Sequence, residues 1–332
     1  MPDSEMRLVV AIPVFNDWDA LQLLLQQLDD ALAARSIRAS VLVIDDGSTS
    51  RPPQDLLRGT PRALREVEML HLARNLGHQR AIAIGLTFVH QERPCDAVIV
   101  MDGDGEDRPE DVPRLVDAMR ASESEEVIFA ARVRRAEGVT FRLFYALYRL
   151  AHRVLTGVAV KVGNFSLVPR RHLSTFVVVS EAWNHYAAAI FHARIPYRLV
   201  PTTRGHRVSG RSTMNFVDLV THGLSAIAVF GDIVGVRMLL GSFALFASVL
   251  VLLLVTLVIR FCTDLAIPGW ATYSSGLLVV LSSQILTVAF VGAFFILSSR
   301  NNLSFVPLRD YRFFVGTVDR VYPADRSGQR DG

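Results

Sequence analysis

The chain has 332 residues, enough for one large domain or two smaller units, and at 51% hydrophobic with a mean hydropathy of +0.32 it is too apolar for an ordinary soluble enzyme. The net charge of +3 comes almost wholly from arginine, Lys161 being the one lysine, and the basic residues form no stripe interleaved with aromatics, so no nucleic-acid partner is expected. Cys95 and Cys262 are spaced for neither a disulfide framework nor a metal cluster.

Met1 to Arg7 is polar and the next apolar run is short, a pattern unlike a secretory signal, so the first domain is expected to stay in the cytoplasm. Arg7 to Ile12 predicts a strand closed by Pro13. Leu21, Leu24, Leu25, Leu28 and Leu32 recur at helical spacing and predict a helix over 20–34. Ala39 to Ile44 predicts a second strand, ending in Asp45-Asp46-Gly47-Ser48. Val67 to Leu72 predicts a third, followed by Arg74-Asn75-Leu76-Gly77 and a helix from His78 to His90. The fourth strand begins at Ala97 and breaks at Met101 into Asp102-Gly103-Asp104-Gly105-Glu106-Asp107. A helix over 113–120 and a fifth strand over 127–131 complete an alternation that implies a doubly wound, mostly parallel sheet. Each polar motif falls just past a strand end, where such sheets bind ligands.

Asp102 and Asp104 stand two apart across a glycine, so both can turn to one ion, and oxygen ligands in small number suit Mg²⁺ or Mn²⁺. An EF-hand is excluded, because its sixth and twelfth places would be Asp107 and Pro113 in place of Gly and Glu.

Beyond Arg132 a helix is predicted over 141–155, its Arg142, Arg149 and Arg153 read as solvated or membrane-facing. A short strand over 164–168, a helix from Ser180 to His192 and a strand over 198–201 follow. His71, His78, His185 and His206 fit no metal-ligand pattern, and structural or exposed places are expected for them. The basic loop from Arg204 to Ser212 precedes an amphipathic helix predicted over 215–236. Met238 to Ile259 and Ala271 to Ser299 carry no charge and are each long enough to span a membrane. Arg237 precedes the first span, Arg300, Arg309, Arg312 and Arg320 follow the second, and the link holds only Asp264 past Arg260, which places both ends on the cytoplasmic side. The tail beyond about Val318 is polar, and disorder is expected there.

The motifs Ala11-Ile12-Pro13-Val14-Phe15-Asn16-Asp17, Asp45-Asp46-Gly47-Ser48, Arg74-Asn75-Leu76-Gly77-His78-Gln79-Arg80-Ala81 and Met101-Asp102-Gly103-Asp104 stand in order. Together they resemble family 2 glycosyltransferases of the GT-A fold. The sub-group they resemble most is the polyprenyl-phosphate glycosyltransferases, which include dolichol-phosphate mannose synthase and GtrB-like enzymes. The resemblance implies a GT-A domain over 1–212, a juxtamembrane helix over 213–236, two transmembrane helices over 237–300 and a cytoplasmic tail over 301–332. It implies that Pro13, Phe15, Asp17, Asp45, Asp46, Asn75 and Gln79, together with Asp102, bind the nucleotide. Asp102 and Asp104 would hold the metal on the donor diphosphate, with Asp107 as a third acid and Arg132 as the arginine of a G-S-R motif. Two motifs depart from the family: G-D-F-R-L reads Gly163-Asn164-Phe165-Ser166-Leu167, and G-E-S-K-Y reads Gly210-Arg211-Ser212-Thr213-Met214. Arg211, Arg207 or Arg170 is expected to replace the lost positive charge, and Trp183-Asn184-His185 falls where the sugar pocket belongs.

The expected reaction is inverting transfer from a nucleotide-sugar, UDP- favoured and GDP- possible, to a polyprenyl phosphate at the cytoplasmic face of a bacterial inner membrane. The metal neutralises the leaving diphosphate. The phosphate acceptor is already anionic near neutral pH and needs no strong base. Arginines hold the two anions together, with Arg132, Arg207 and Arg211 foremost among Arg142, Arg149 and Arg204. A processive polysaccharide synthase is disfavoured, since no Q-x-x-R-W motif is present. A membrane glycosyltransferase with a different lipid or glycan acceptor is the alternative enzyme, and a non-catalytic membrane-anchored nucleotide-sugar sensor or scaffold is the reading from a different class. Gly231, Gly235 and Gly241 offer small-residue contacts between copies, and a homo-oligomer, a tetramer by resemblance, is expected.

Overall fold

A computed structural model describes residues 6–57, 59–123, 125–132, 150–157, 162–203, 205, 216–265, 267–300 and 305–323. The chain divides into two units, the first comprising residues 1–142, 160–229 and 304–332, the second 143–159 and 230–303.

The first unit is built on an eight-stranded mixed sheet. Its strands are β1 (Leu8–Val14), β2 (Ala39–Asp45), β3 (Leu64–Leu72), β4 (Ala97–Val100), β5 (Val127–Arg132), β6 (Ser166–Pro169), β7 (Tyr197–Thr202) and β8 (Val315–Tyr322), in the order β7-β5-β6-β4-β1-β2-β3-β8. β1 pairs in parallel with β2 and β4, β2 with β3, and β5 with β7; β6 and β8 join antiparallel.

Helices α1 (Trp18–Ala33), α2 (His78–Glu92) and α3 (Val112–Ala121) cover the sheet's two faces. The alternation of strand side chains feeds two cores. Val10, Ile12, Val41, Val43, Ile99 and Met101 pack with α1 and α3, while Val9, Ala11, Leu42, Ile44, Val98 and Val100 pack with α2. The leucine stripe of α1 is fully buried, as its spacing predicts. In α2, a Cβ added at Gly85 would lie 2.1 Å from Ile44 Cδ1, so the helix backbone sits directly on β2.

The remaining expectations divide. The helix expected over 180–192 is broken: a 3₁₀ turn, Ser180–Trp183, ends before a helix, Tyr186–His192. His185 is extended at the junction, and its Nδ1 accepts the Ala188 N–H at 3.4 Å as an N-cap. A short helix, Arg170–Phe176, was not anticipated. The helix expected over 215–236 stops at Ala228, and a new one begins at Gly231. The expected disorder beyond Val318 is corrected: Val315–Tyr322 is β8, zipped onto β3. The helix predicted over 141–155 lies mostly outside the described residues, which are helical over 150–156.

The second unit contains two helices long and apolar enough to cross a membrane, Gly231–Cys262 of 32 residues and the 27-residue stretch Trp270–Ile296 of Trp270–Arg300. They pack together as a hairpin. A Cβ at Gly235 would fall 2.0 Å from Ile296 Cδ1, so this glycine serves contact within the chain, while Gly231 and Gly241 face open space.

Candidate functional site at the carboxyl ends of the parallel strands

β1 has β4 on one side and β2 on the other, so the sheet's strand order reverses beside β1. Open α/β sheets bind ligands in the crevice that such a reversal leaves at their carboxyl ends. All four sequence motifs reach this edge. Val14, Asp45 and His71 stand in register across β1, β2 and β3, and Ala11 is opposite Val100 of β4.

The loop after β1 organises the loop after β2. Asn16 has φ +55°, and its side-chain oxygen accepts from the Thr49 and Ser50 backbone N–H groups at 2.8 and 3.0 Å. Trp18 Nε1 donates to the Ser50 carbonyl at 3.1 Å. Phe15 is left 47% exposed, an aromatic face open to a ligand at the mouth of the crevice.

Asp45 and Asp46 are both buried yet differ in role. Asp45 Oδ1 accepts the Ser48 N–H at 2.9 Å, and Oδ2 accepts from His71 Nδ1 at 2.8 Å. Asp46 accepts the Leu76 and Gly77 N–H groups at 2.7 and 2.8 Å, one on each oxygen, and so fixes the loop that carries Asn75. Burial pushes the Asp46 carboxyl above the usual range, and those amides limit the rise. Gly47 is required here: its φ is +69°, and a Cβ would lie 2.5 Å from the Asn75 nitrogen.

The acid-rich turn after β4 is held from within. Asp107 is buried and accepts the Asp102 N–H at 2.9 Å, while Asp104 accepts the Glu106 N–H at 3.0 Å. Gly103 lies against β1, where a Cβ would meet the Pro13 carbonyl at 3.2 Å. Asp102 and Asp104 are half-buried, with Asp102 Oδ1 3.0 Å from His78 Nε2 at the start of α2. Burial opposes a charged His78, but the Asp102 carboxylate, with Asp107 and Asp104 beyond it, outweighs that and raises its pKa.

His78 is a residue that sequence reasoning assigned to structure or exposure, and the fold brings it to the acid pair. Only the helix start following Gly77 signalled it. Gln79 turns to the altered motif: its Nε2 donates to Asn164 Oδ1 at 3.1 Å and its Oε1 accepts the Tyr186 N–H at 2.7 Å. Asn164 Nδ2 lies 2.9 Å from His78 Nε2, and Ser166 Oγ lies 2.7 Å from the Tyr186 hydroxyl. Burial raises the Tyr186 phenol above its ordinary value, so it acts here as a neutral hydrogen-bonding group. The substituted Asn164 and Ser166 thus build a neutral network behind the acid turn.

Arg132 ends β5, opposite Thr202 of β7. Arg204, Arg207 and Arg211 lie outside the described residues, as do Arg142 and Arg149. Gly205, from the same basic loop, is described: its N–H donates to the Glu106 carbonyl at 2.9 Å, and a Cβ would meet the Gly105 carbonyl at 2.6 Å. Gly205 therefore lies against the acid-rich turn. Arg170, the other expected substitute cation, points elsewhere, donating to the carbonyls of Arg93 and His90 at 2.9 and 3.2 Å. Trp183 stacks on Phe305 at 3.8 Å with Arg80 over its ring at 4.9 Å, which makes it part of the packing around α2.

Among the described residues no group of three or more His, Cys, Asp or Glu side chains forms a ready metal cage. Asp102 and Asp104 offer two hard carboxylates on one turn. That suits Mg²⁺ or Mn²⁺, ions that retain waters and take substrate phosphate oxygens.

The sheet and its edge form an α/β fold of the GT-A type. The family model described as Glycosyl transferase family 2 matches residues 9–176, half of the chain, and the chain belongs to that family. An uncharacterized glycosyltransferase of Synechocystis sp. is 25% identical over 301 residues, covering 87% of this chain and 90% of that protein. The undecaprenyl-phosphate 4-deoxy-4-formamido-L-arabinose transferase of Klebsiella pneumoniae (strain 342) is 26% identical over 308 residues, 86% of each chain. Among solved structures, glucosyl-3-phosphoglycerate synthase from Mycobacterium tuberculosis, in complex with Mn²⁺, UDP-glucose and phosphoglyceric acid, superposes with a TM-score of 0.47 at 14% identity, covering 69% of this chain and 80% of that one.

Proposed function

We propose that this chain transfers a sugar from a nucleotide-sugar to a membrane polyprenyl phosphate, with inversion and with a divalent cation on Asp102 and Asp104. The observation that carries the reading is the meeting of all four motifs at the β1/β4 reversal, in a chain that also holds two membrane-length apolar helices. The acceptor class is taken from the undecaprenyl-phosphate transferases it resembles.

The donor's base and ribose lie along Pro13, Phe15, Asp17, Asp45 and Asp46, with Gln79 and Asn75, on the loop that Asp46 holds, at their side. A Mg²⁺ or Mn²⁺ ion, when bound, neutralises the charge that develops on the leaving diphosphate. His78 holds Asp102 in place from the start of α2. The acceptor phosphate oxygen attacks the anomeric carbon opposite the leaving group, which inverts it. Arg132, with Arg207 and Arg211 of the basic loop, lowers the cost of bringing two anions together. UDP is the favoured carrier.

The fold of the first unit supports a membrane arrangement with two crossings. β8 comes after both apolar helices yet pairs with β3, which comes before them. Two crossings thus return the chain to its starting side. Arg237 before the first crossing and Arg309, Arg312 and Arg320 after the second support a cytoplasmic assignment for that side, here of a bacterial inner membrane. A homo-oligomer remains part of the proposal.

The test is a donor screen. Membranes bearing the full chain receive undecaprenyl phosphate and a panel of UDP- and GDP-sugars with Mn²⁺, and lipid products are read by mass spectrometry. One donor should yield a lipid heavier by one glycosyl unit. Absence of product and of released nucleotide diphosphate with every donor would leave the sensor reading in its place.

A further inference from the structure

We infer that the strand following the membrane helices is a working part of the donor site, because it delivers Asp319 to a chain of side chains, Asp45–His71–Asp319, that positions the Asp45 carboxylate. The inference rests on the reading of Asp45 as a contact to the donor nucleotide.

The geometry is specific. His71 Nδ1 stands 2.8 Å from Asp45 Oδ2, and its Nε2 stands 3.2 Å from Asp319 Oδ2. An ionised carboxylate accepts, so Nδ1 donates to Asp45, and Asp319 stands beside the other ring nitrogen at the far edge of the imidazole. Asp45 Oδ1 is meanwhile set by the Ser48 N–H at 2.9 Å. One oxygen held by backbone and the other by an imidazole leaves the carboxylate a single orientation, with lone pairs remaining on both oxygens for a ligand donor.

The sheet is shaped to make this contact. β3 and β8 pair Met69 with Asp319 and Leu70 with Val318, then lose register before Leu72 and Val315, so one of the ladder's two irregularities falls at His71, the other lying at Val67/Glu68. Gly316 lies over His71: a Cβ there would meet the His71 carbonyl at 3.0 Å. The Ala73 N–H donates to the Phe314 carbonyl at 2.9 Å, and Arg320 pairs with Glu66 at 2.9 Å, so the strand is pinned on both sides of His71. An edge strand that served only to cover β3 would need neither the glycine nor an acid facing the ring.

His71 and Asp319 are positioning residues, and affinity for nucleotide is the readout. Full-length protein in detergent, with Mn²⁺, is titrated calorimetrically with UDP and with GDP, and whichever binds the parent more tightly serves as probe. Asp45→Ala and His71→Ala should each weaken it about tenfold, the scale of one hydrogen bond to a charged group. Asp319→Ala should weaken it about two- to threefold, as its carboxylate is mostly exposed. In turnover the donor KM should rise with kcat unchanged. His71→Asn keeps an amide nitrogen near the Nδ1 position and should restore most of the affinity, whereas His71→Gln should not. Thermal unfolding of each variant separates a loss of fold from a loss of positioning. Full affinity in His71→Ala or Asp319→Ala, with Asp45→Ala impaired, would overturn this inference alone. Full affinity in Asp45→Ala, or no binding of either nucleotide by the parent, would overturn the donor-site reading beneath it.

Discussion

Asp102, Asp104 and Asp107 lie on one turn of six residues, yet the fold gives them different work. Asp107 is buried and spends an oxygen on the Asp102 backbone, so it shapes the turn, while Asp102 and Asp104 are left half-buried at its outer side. Asp45 and Asp46 divide in the same way, Asp46 holding a loop and Asp45 facing His71. The sequence carries the acid pairs themselves, since they break apolar runs. It does not carry this division, which depends on amides 5 to 31 positions away. A similar carboxylate lies away from the site. Asp29 on α1 accepts the Arg62, Ala63 and Leu64 N–H groups at 2.8–3.1 Å and so ties the loop before β3. Burial works against its charge, but these amides, Arg62 foremost, bring its pKa below the ordinary value. A depressed pKa stabilises the fold above the unfolded-state value, about 3.9, and that contribution disappears as pH falls through the lower folded value. Asp29→Asn should therefore cost about 1–3 kcal/mol near neutral pH. In thermal unfolding the gap to the parent should close in acid, and a gap independent of pH would refute it.

Among the elements, α1 and the parallel strands were legible because each has one environment. The leucine stripe meets one core, and β1, β2 and β4, covered on both faces, read as continuous apolar runs. β8 was illegible for the opposite reason. It is an edge strand, exposed along most of its length, and the backbone ladder to β3 holds it where side-chain burial does not. The break before Gly231 left no periodic signal, since apolar residues continue across it, and at Asn184–His185 two polar residues between Trp183 and Tyr186 fit a helix surface as well as a break. α2 connects the core to the site, as its first turn carries His78 and Gln79 while its middle rests on β2. Gly85→Ala would force a methyl onto Ile44 and shift the helix start. It should destabilise the chain by about 1–3 kcal/mol and also raise the donor KM. Smaller Ile44→Val in the same chain should recover part of both, and an unchanged KM in Gly85→Ala would uncouple the helix from the site.

At the scale of the whole molecule, the first unit contains chain from before and after the apolar hairpin. If both apolar helices cross a membrane, as proposed, closure of the sheet by β8 returns the chain to its starting side and leaves the link between the helices on the other. Cys262 ends the first apolar helix and is exposed, whereas Cys95 is buried beside Arg170, where burial raises its thiol pKa. In spheroplasts a membrane-impermeant maleimide should label the chain at Cys262 without permeabilisation, and Cys262→Ser should abolish the label. Labelling that appears only after lysis would reverse the orientation.

The proposed cation site on the acid-rich turn at the β1/β4 reversal is tested most directly by nucleotide diphosphate release from the donor found in the screen, measured with and without Mn²⁺ for the parent and Asp104→Ala. The parent should turn over with Mn²⁺, stop on chelation and recover when Mg²⁺ or Mn²⁺ is restored, while Asp104→Ala stays silent though folded and in the membrane. Turnover that survives chelation, or that persists in Asp104→Ala, would contradict a cation held by this turn.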